Sequence, residues 1–288
     1  MTTPFTPSGS VDEAAAERLA DRLATHGLGV FVLGTTGETA SIPGGERSRL
    51  VTAALQATSG RVPVYAGIGD NCMSDMVAAG RSYLAAGVTA VVAHPPSYYP
   101  LTSEELHDCF QLLHRQLAGP MMLYNIPQTT GMSLPLDVVE RLADLPHIVG
   151  FKDSENDPAR MKDTAGRFGG RPDFAILMGV AALSVPALRL GFVGLVPSSA
   201  NLVPALWREL WDHAVAGRWD QASRLQERLD TIGGVLQRNR NLGGYLAALK
   251  AGLAAKDLCG PSLLPPLRGL EEAERQSVVA ELVELQVL

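Results

Sequence analysis

The chain has 288 residues, 46% hydrophobic and 19% charged, enough for a large core in either two ordinary domains or one α/β barrel. A formal net charge of −6, with both signs interspersed, leaves no electrostatic footprint for nucleic acid or an anionic membrane, so an anionic substrate must be held by local groups. The three cysteines (Cys72, Cys109, Cys259) have neither metal-ligand spacing nor a disulfide framework, the apolar runs fall far short of the ~20 residues of a spanning helix, and no secretory pattern opens the chain. The expectation is a reducing, cytoplasmic location with no membrane partner and no metal.

At the amino terminus, Met1 to Pro7 leaves at most a stub before helical periodicity begins at Val11. Either Thr2 to Phe5 is a very short strand, or the chain begins later than a complete barrel would. Strand-like runs then recur at Val30–Gly34, Val62–Gly67, Val88–Ala93, Met121–Asn125, Ile148–Asp153, Phe174–Gly179 and Phe192–Val196. Amphipathic stretches separate them: Gly45–Ala57, Ser74–Ala86, Ser103–Leu117, Pro135–Leu142 and Ala181–Leu190, after a first at Val11–Ala24. Nearly continuous apolar strands alternating with helices predict βα units around a parallel sheet, and their number favours a (β/α)8 TIM barrel whose first strand is short or missing.

After Val196 only helical periodicity remains, in Leu202–Ala216, Trp219–Val235, Leu242–Lys256 and Glu271–Leu285. The predicted division is a barrel over residues 1–216 and a carboxy-terminal helical extension over 217–288. Trp207 and Trp211 share a helical face and are read as packing residues, as is Trp219.

Lys152 ends an apolar strand in Gly150-Phe151-Lys152-Asp153-Ser154. A free lysine, pKa ~10.4, is almost all ammonium at neutral pH, and freeing the amine takes a shift of ~3 units, roughly 4 kcal/mol, which burial in an apolar barrel mouth supplies. A Lys152 so placed is a candidate nucleophile toward a ketone; the competing reading is a strand-end lysine that snorkels or pairs with Asp153 or Glu155. Tyr124, in Leu123-Tyr124-Asn125-Ile126-Pro127, ends the neighbouring strand, and its phenol either shuttles a proton or fills a buried hydrogen bond. Gly34-Thr35-Thr36-Gly37-Glu38 follows a third strand: two hydroxyls and adjacent backbone donors suit a carboxylate, the alternative being a plain turn, and the run lacks the Gly-Lys-Ser/Thr ending of a phosphate loop. Tyr98 and Tyr99 lie in a Pro-rich loop after His94, which is read as structural or supporting and not as a metal ligand.

These three motifs, in this order and spacing, resemble the dihydrodipicolinate synthase / N-acetylneuraminate lyase family of class I pyruvate-dependent aldolases, over about Thr3 to the carboxy terminus. The resemblance implies that Lys152 forms a Schiff base with the 2-oxo carbon of pyruvate or a pyruvate-derived 2-keto acid, and that Tyr124 transfers protons. It further implies that Thr35 is a relay, Thr36 binds the carboxylate, Tyr98 reaches across a tight dimer into the partner's site, and Gly179 and Val196 line the pyruvate pocket. A homotetramer built from such dimers is implied, with no external cofactor beyond the covalent Schiff base.

The departures concern the aldehyde partner. Thr129 stands where authentic dihydrodipicolinate synthases carry an arginine for the carboxylate of aspartate semialdehyde, and a hydroxyl cannot replace that bidentate, charged grip. Lys152-Asp153-Ser154 is similar to the run common among sugar acid aldolases, including 2-keto-3-deoxygluconate aldolases, and related hydratase-aldolases. The leading expectation is therefore an aldolase or lyase of a 2-keto-3-deoxy sugar acid such as 2-keto-3-deoxygluconate. The alternatives are dihydrodipicolinate synthase or a hydratase-aldolase of the same family, and a non-catalytic pyruvate-binding paralogue, motivated by Thr129, Ser97 and the short amino terminus.

Overall fold

Strand and helix alternate through the computed structural model, which describes residues 1–288. In chain order the elements are α1 (Glu13–Thr25), β1 (Val30–Val32), α2 (Gly44–Thr58), β2 (Val64–Gly67), α3 (Met73–Ala86), β3 (Ala90–Ala93), α4 (Ser103–Leu117), β4 (Met121–Asn125) and a short α5 (Pro127–Thr130). There follow α6 (Leu136–Ala143), β5 (Ile148–Asp153), α7 (Pro158–Phe168), β6 (Ala175–Met178), α8 (Ser184–Leu190) and β7 (Gly194–Leu195). The chain ends with α9 (Pro204–Val215), α10 (Trp219–Gln237), α11 (Leu242–Ala255) and α12 (Glu272–Glu284). The seven strands form one sheet in the order β1 to β7, and the pairings from β2 to β7 are parallel. This is the α/β barrel fold that the alternation predicts, with carboxy-terminal helices and with the amino-terminal strand, expected to be short or missing, reduced to a single bridge residue.

The chain packs as two compact units, Met1–Val64 with Ser198–Leu288, and Tyr65–Pro197. In the first, residues 1–5 form no strand; Phe5 makes only an isolated antiparallel bridge with Val11. The segment is nevertheless anchored. The Met1 ammonium donates to the Phe31 carbonyl of β1, the Thr2 N–H to Asn201 Oδ1 at 2.9 Å, and the Thr3 hydroxyl to the Gly37 carbonyl at 2.7 Å. Asp12 caps α1 by accepting the Ala15 N–H, and the helix buries Ala15, Ala16, Leu19, Ala20 and Leu23, an i, i+3/i+4 stripe. Trp207 is 3% exposed and its indole donates to Ser199 Oγ at 3.1 Å, the packing role expected of it.

In the second unit the strand interiors, among them Val91, Met121, Leu123 and Phe151, are fully buried, each contributing about 1.5–3 kcal/mol of apolar transfer free energy. Burial of neighbouring residues on both faces is why the strands read as continuous apolar runs instead of alternating ones. Gly150 is required where β5 pairs with Ala175 of β6, because a Cβ there would strike the Ala175 carbonyl oxygen. Helices are tied to these strands by local signals. A capping box joins Thr102 and Glu105 at the start of α4, and Asp157 accepts the Ala159 and Arg160 N–H groups ahead of Pro158 at the start of α7.

Candidate active site

In the second unit the parallel register sets Tyr124 of β4 against Lys152 of β5 and Asn125 against Asp153. Tyr124 and Lys152 are 3% and 7% exposed, and Lys152 Nζ lies 3.7 Å from the centre of the Tyr124 ring. Strand pairing thus puts an amine and a phenol in contact at the carboxyl ends of neighbouring strands, the side of such a sheet on which α/β barrels carry their chemistry. Gly179, just past β6, completes this arrangement: its N–H donates to the Asp153 carbonyl at 2.7 Å, and a Cβ there would collide with Ser154 Oγ and stand 3.1 Å from Lys152 Cε. Glycine at 179 thus leaves space for the Ser154 side chain and for the Lys152 stem. Val196 follows β7 and donates its N–H to the Met178 carbonyl at 2.8 Å.

The Asp153 carboxylate is occupied by other groups. Arg160 Nε donates to Oδ2 at 2.7 Å, and Asn125 Nδ2 to Oδ1 at 2.8 Å. Asn125 also donates to Glu155 Oε2 at 2.9 Å and accepts the Leu134 N–H, while Ser133 donates to Glu155 and Arg160 Nη2 to the Leu134 carbonyl. Asn125 and Asp153 are almost completely buried, and their mutual hydrogen bonds satisfy groups that would otherwise be costly there. Each directly follows a site residue in sequence, so the network clamps the two strand ends that carry Tyr124 and Lys152. Asn125 and Asp153 appear in the sequence motifs without a role; Arg160 carries no signal beyond its place in the first turn of a helix.

His94 lies edge-on to Tyr124, with ring centres 6.3 Å apart, and its Nδ1 is 2.9 Å from the Pro95 carbonyl. A carbonyl only accepts, so Nδ1 carries the proton and Nε2 is the acceptor. Burial pushes the imidazole below its ordinary pKa; the Pro95 carbonyl opposes this, the Lys152 charge adds to it, and Asp70 opposes it. Tyr98 is 75% exposed, its ring set against Tyr99 at 5.0 Å, and Asn71 Oδ1 accepts the Ser97 and Tyr98 N–H groups. Thr129, in α5, is exposed and its hydroxyl donates back to the Ile126 carbonyl at 3.3 Å.

In the first unit, Thr35 and Thr36 lie in a 3-10 turn, Thr35–Gly37, directly after β1. The turn closes with the Gly37 N–H on the Gly34 carbonyl and the Glu38 N–H on the Thr35 carbonyl, Glu38 taking a left-handed conformation at φ 55°. The Glu38 carboxylate meets Lys250 Nζ of α11 at 2.5 Å, both side chains being fully buried. Lys250 also donates to the Ser262 carbonyl at 2.7 Å and lies 4.2 Å above the Phe5 ring, so the turn is anchored from beneath by a buried ion pair. Thr36 Oγ1 is 2.7 Å from Ser198 Oγ.

Comparison with known proteins decides the family. The profile of the dihydrodipicolinate synthetase family matches residues 1–285. A 4-hydroxy-tetrahydrodipicolinate synthase of Alkalilimnicola ehrlichii is 32% identical over 279 residues, 96% of this chain and 94% of the relative. The chain belongs to the dihydrodipicolinate synthetase family. A second relative, an uncharacterized DapA-like lyase of Halobacterium salinarum, is 31% identical over 289 residues, 100% of this chain and 93% of the relative. Among solved structures, YagE of E. coli K12, a family member in complex with pyruvate, superposes with a TM-score of 0.93 at 26% identity, covering 100% and 97% of the two chains. The dihydrodipicolinate synthase of Bacteroides thetaiotaomicron gives 0.93 at 29% identity, covering 99% and 96%. Family membership makes this chain an enzyme of the Schiff-base aldolase and lyase type.

Proposed function

We propose that Lys152 is the Schiff-base nucleophile and that the chain joins pyruvate to, or releases it from, an aldehyde. The observation that carries this reading is the contact of the buried Lys152 amine with the buried Tyr124 ring at paired strand ends. The amine adds to the 2-oxo carbon; the carbinolamine loses its hydroxyl as water, with the proton delivered by the Tyr124 phenol, and the resulting iminium accepts the electron pair of the breaking carbon–carbon bond. As that bond breaks, the hydroxyl proton of the departing fragment passes to the Tyr124 phenolate left by the dehydration, which releases an aldehyde and leaves an enamine; in the reverse direction the enamine attacks the aldehyde and the phenol returns the proton to the new alkoxide. A hydroxyl nucleophile offers no such nitrogen electron sink, and no further cofactor is needed. Thr36 is assigned the keto acid carboxylate and Thr35 the proton relay, with Gly179 and Val196 lining the pyruvate pocket. The exposure of Tyr98 suits a residue offered to a partner subunit, in a tetramer of tight dimers.

For the aldehyde two readings stand. The names of the relatives support 4-hydroxy-tetrahydrodipicolinate synthase activity, so that alternative now has more support than the sugar acid reading that led from the sequence. A separate observation favours the 2-keto-3-deoxy sugar acids: Thr129 is exposed and neutral where the synthases carry an arginine, and with Gln128 it offers hydrogen bonds suited to hydroxylated aldehydes.

Borohydride reduction in the presence of pyruvate, followed by peptide mass analysis, tests the common first half. A stable adduct on Lys152 is expected; no adduct with pyruvate or with intact 2-keto-3-deoxy acids would sink the mechanism. A panel of aldehydes including aspartate semialdehyde then separates the two readings. Turnover of the semialdehyde by the unaltered chain establishes the synthase, whereas turnover gained only in Thr129→Arg establishes the neutral subsite.

A further inference from the structure

The proposed reading leaves two hydroxyl groups of the first unit without a task, Ser198 and Tyr245. Ser198 opens the 3-10 turn Ser198–Asn201, and its hydroxyl is 2.7 Å from that of Thr36, 162 residues away in sequence. Tyr245, in the first turn of α11, is hydrogen-bonded through its phenol to the same Ser198 side chain. The backbones of Ser198 and Tyr245 are both held. Asn201 Nδ2 donates to the Ser198 carbonyl at 2.7 Å, and Asn241 caps α11 through Gly244 and accepts the Tyr245 N–H on its carbonyl at 2.9 Å.

A hydroxyl carries one hydrogen and two lone pairs, so a row of three has two self-consistent directions. In one, Thr36 donates to Ser198 and Ser198 to Tyr245, and Thr36 presents lone pairs to a ligand. In the other, Tyr245 donates to Ser198 and Ser198 to Thr36, and the Thr36 hydrogen is left to point outward. The phenol is the most acidic of the three and hence the strongest donor, which favours the second direction. Burial, which pushes the phenol up to about 12, keeps its proton in place across the neutral range. Each donated bond also polarises the next, so the last hydroxyl becomes a better donor than an isolated threonine.

We infer that Tyr245 and Ser198 are positioning residues that orient the Thr36 hydroxyl as a hydrogen-bond donor to a carboxylate. The inference deepens the proposed function and rests on its assignment of Thr36 to the keto acid carboxylate. It also distinguishes ligands by charge: a carboxylate accepts strongly from such a row, and a neutral ester much less.

The test compares borohydride trapping at Lys152 with pyruvate and with methyl pyruvate, which keeps the ketone and loses the anion. Tyr245→Phe preserves the ring and removes only the phenolic hydroxyl; it is expected to raise the half-saturating pyruvate concentration about tenfold, with maximal trapping unchanged and methyl pyruvate shifted less than about twofold. Ser198→Ala is expected to match it, and Ser198→Thr, which keeps a hydroxyl, to restore most of the loss. Equal shifts for both ketones would show a merely structural role and overturn the inference, as would no shift for pyruvate in either Tyr245→Phe or Ser198→Ala. Failure of the unaltered protein to trap pyruvate is the distinct result that overturns the Lys152 reading, and the inference with it.

Discussion

Two lysines are buried in this molecule, and their surroundings differ in kind. Lys250 is fully enclosed with its charge met by the Glu38 carboxylate at 2.5 Å, the Ser262 carbonyl and the Phe5 ring. Lys152 rests on the Tyr124 ring, and the carboxylate next to it in sequence, Asp153, is held by Arg160 and Asn125. Burial pushes the Lys250 amine down and the Glu38 carboxyl up, each toward its neutral form, while their attraction opposes both shifts. A lysine matched with a carboxylate in a dry interior is fixed as one half of a salt bridge and serves the fold. Lys152 is instead set on the face of a tyrosine ring, with Gly179 rather than a side chain next to its stem. Burial alone does not make a lysine reactive; the partner decides which use is made of it.

The comparison is broken most directly at Lys152. Lys152→Met is expected to abolish borohydride trapping and lower turnover by at least about 10⁴-fold while leaving thermal stability unchanged or raised, since methionine keeps an unbranched apolar side chain against the Tyr124 ring and takes a charge out of a buried position. Retained turnover, or a large drop in melting temperature, would erase the distinction between the two lysines. Lys250→Met is expected to do the opposite: it strands the Glu38 carboxylate in a dry interior at a cost of about 3–5 kcal/mol, read as a shift in the urea midpoint. Glu38→Gln combined with Lys250→Met removes both charges and should recover most of that loss. If Lys250→Met is as stable as the parent, the buried pair does not hold the Thr35-Thr36 turn.

A smaller effect is expected at the clamp. Arg160→Lys keeps the charge but loses the fork that reaches both Asp153 and the Leu134 carbonyl, so trapping by pyruvate should slow about tenfold through misplacement of the β4 and β5 ends. Unchanged trapping in a folded Arg160→Lys protein would show that the strand ends hold Lys152 and Tyr124 without help.

The seven strands, their order and the placing of Lys152 and Tyr124 at neighbouring strand ends were legible in the sequence, because apolar runs of strand length with amphipathic stretches between them leave little choice of architecture, and parallel neighbours place strand ends together. The polar partners were not. Glu38 and Lys250 lie 212 residues apart, and Lys250 sits in an apolar helix where it reads as one more helical lysine. Ser198 and Tyr245 have no motif of their own, and Arg160 resembles any surface arginine until Asp153 is seen to be buried. Side-chain pairing across long separations depends on where the fold brings elements together, which periodicity does not encode. The amino terminus illustrates the same limit from the other side: residues 1–5 lack a strand pattern, yet Met1, Thr2 and Thr3 are tied to Phe31, Asn201 and Gly37 by hydrogen bonds.

The smallest effect concerns pH, and it uses His94 to report the charge on Lys152. His94 is held below its ordinary value of 6.5, so above pH 6.5 it is neutral in both the folded and the unfolded chain. As pH falls below 6.5 the unfolded chain takes up a proton that the folded one refuses, and stability is lost until the folded value is passed, by at most about 1.4 kcal/mol per pH unit. His94→Gln should therefore flatten the decline of the urea midpoint between pH 7.5 and 5.5 relative to the parent, the other histidines cancelling in the difference. The groups acting on His94 are the Pro95 carbonyl, Asp70 and Lys152, with the Tyr124 ring at its edge. Of these only Lys152 adds positive charge, so Lys152→Met should raise the His94 titration midpoint observed by NMR, whereas Lys250→Met should leave it where it is. A His94 midpoint that moves equally with both lysines, or with neither, would remove the assignment of the Lys152 charge to this corner of the site.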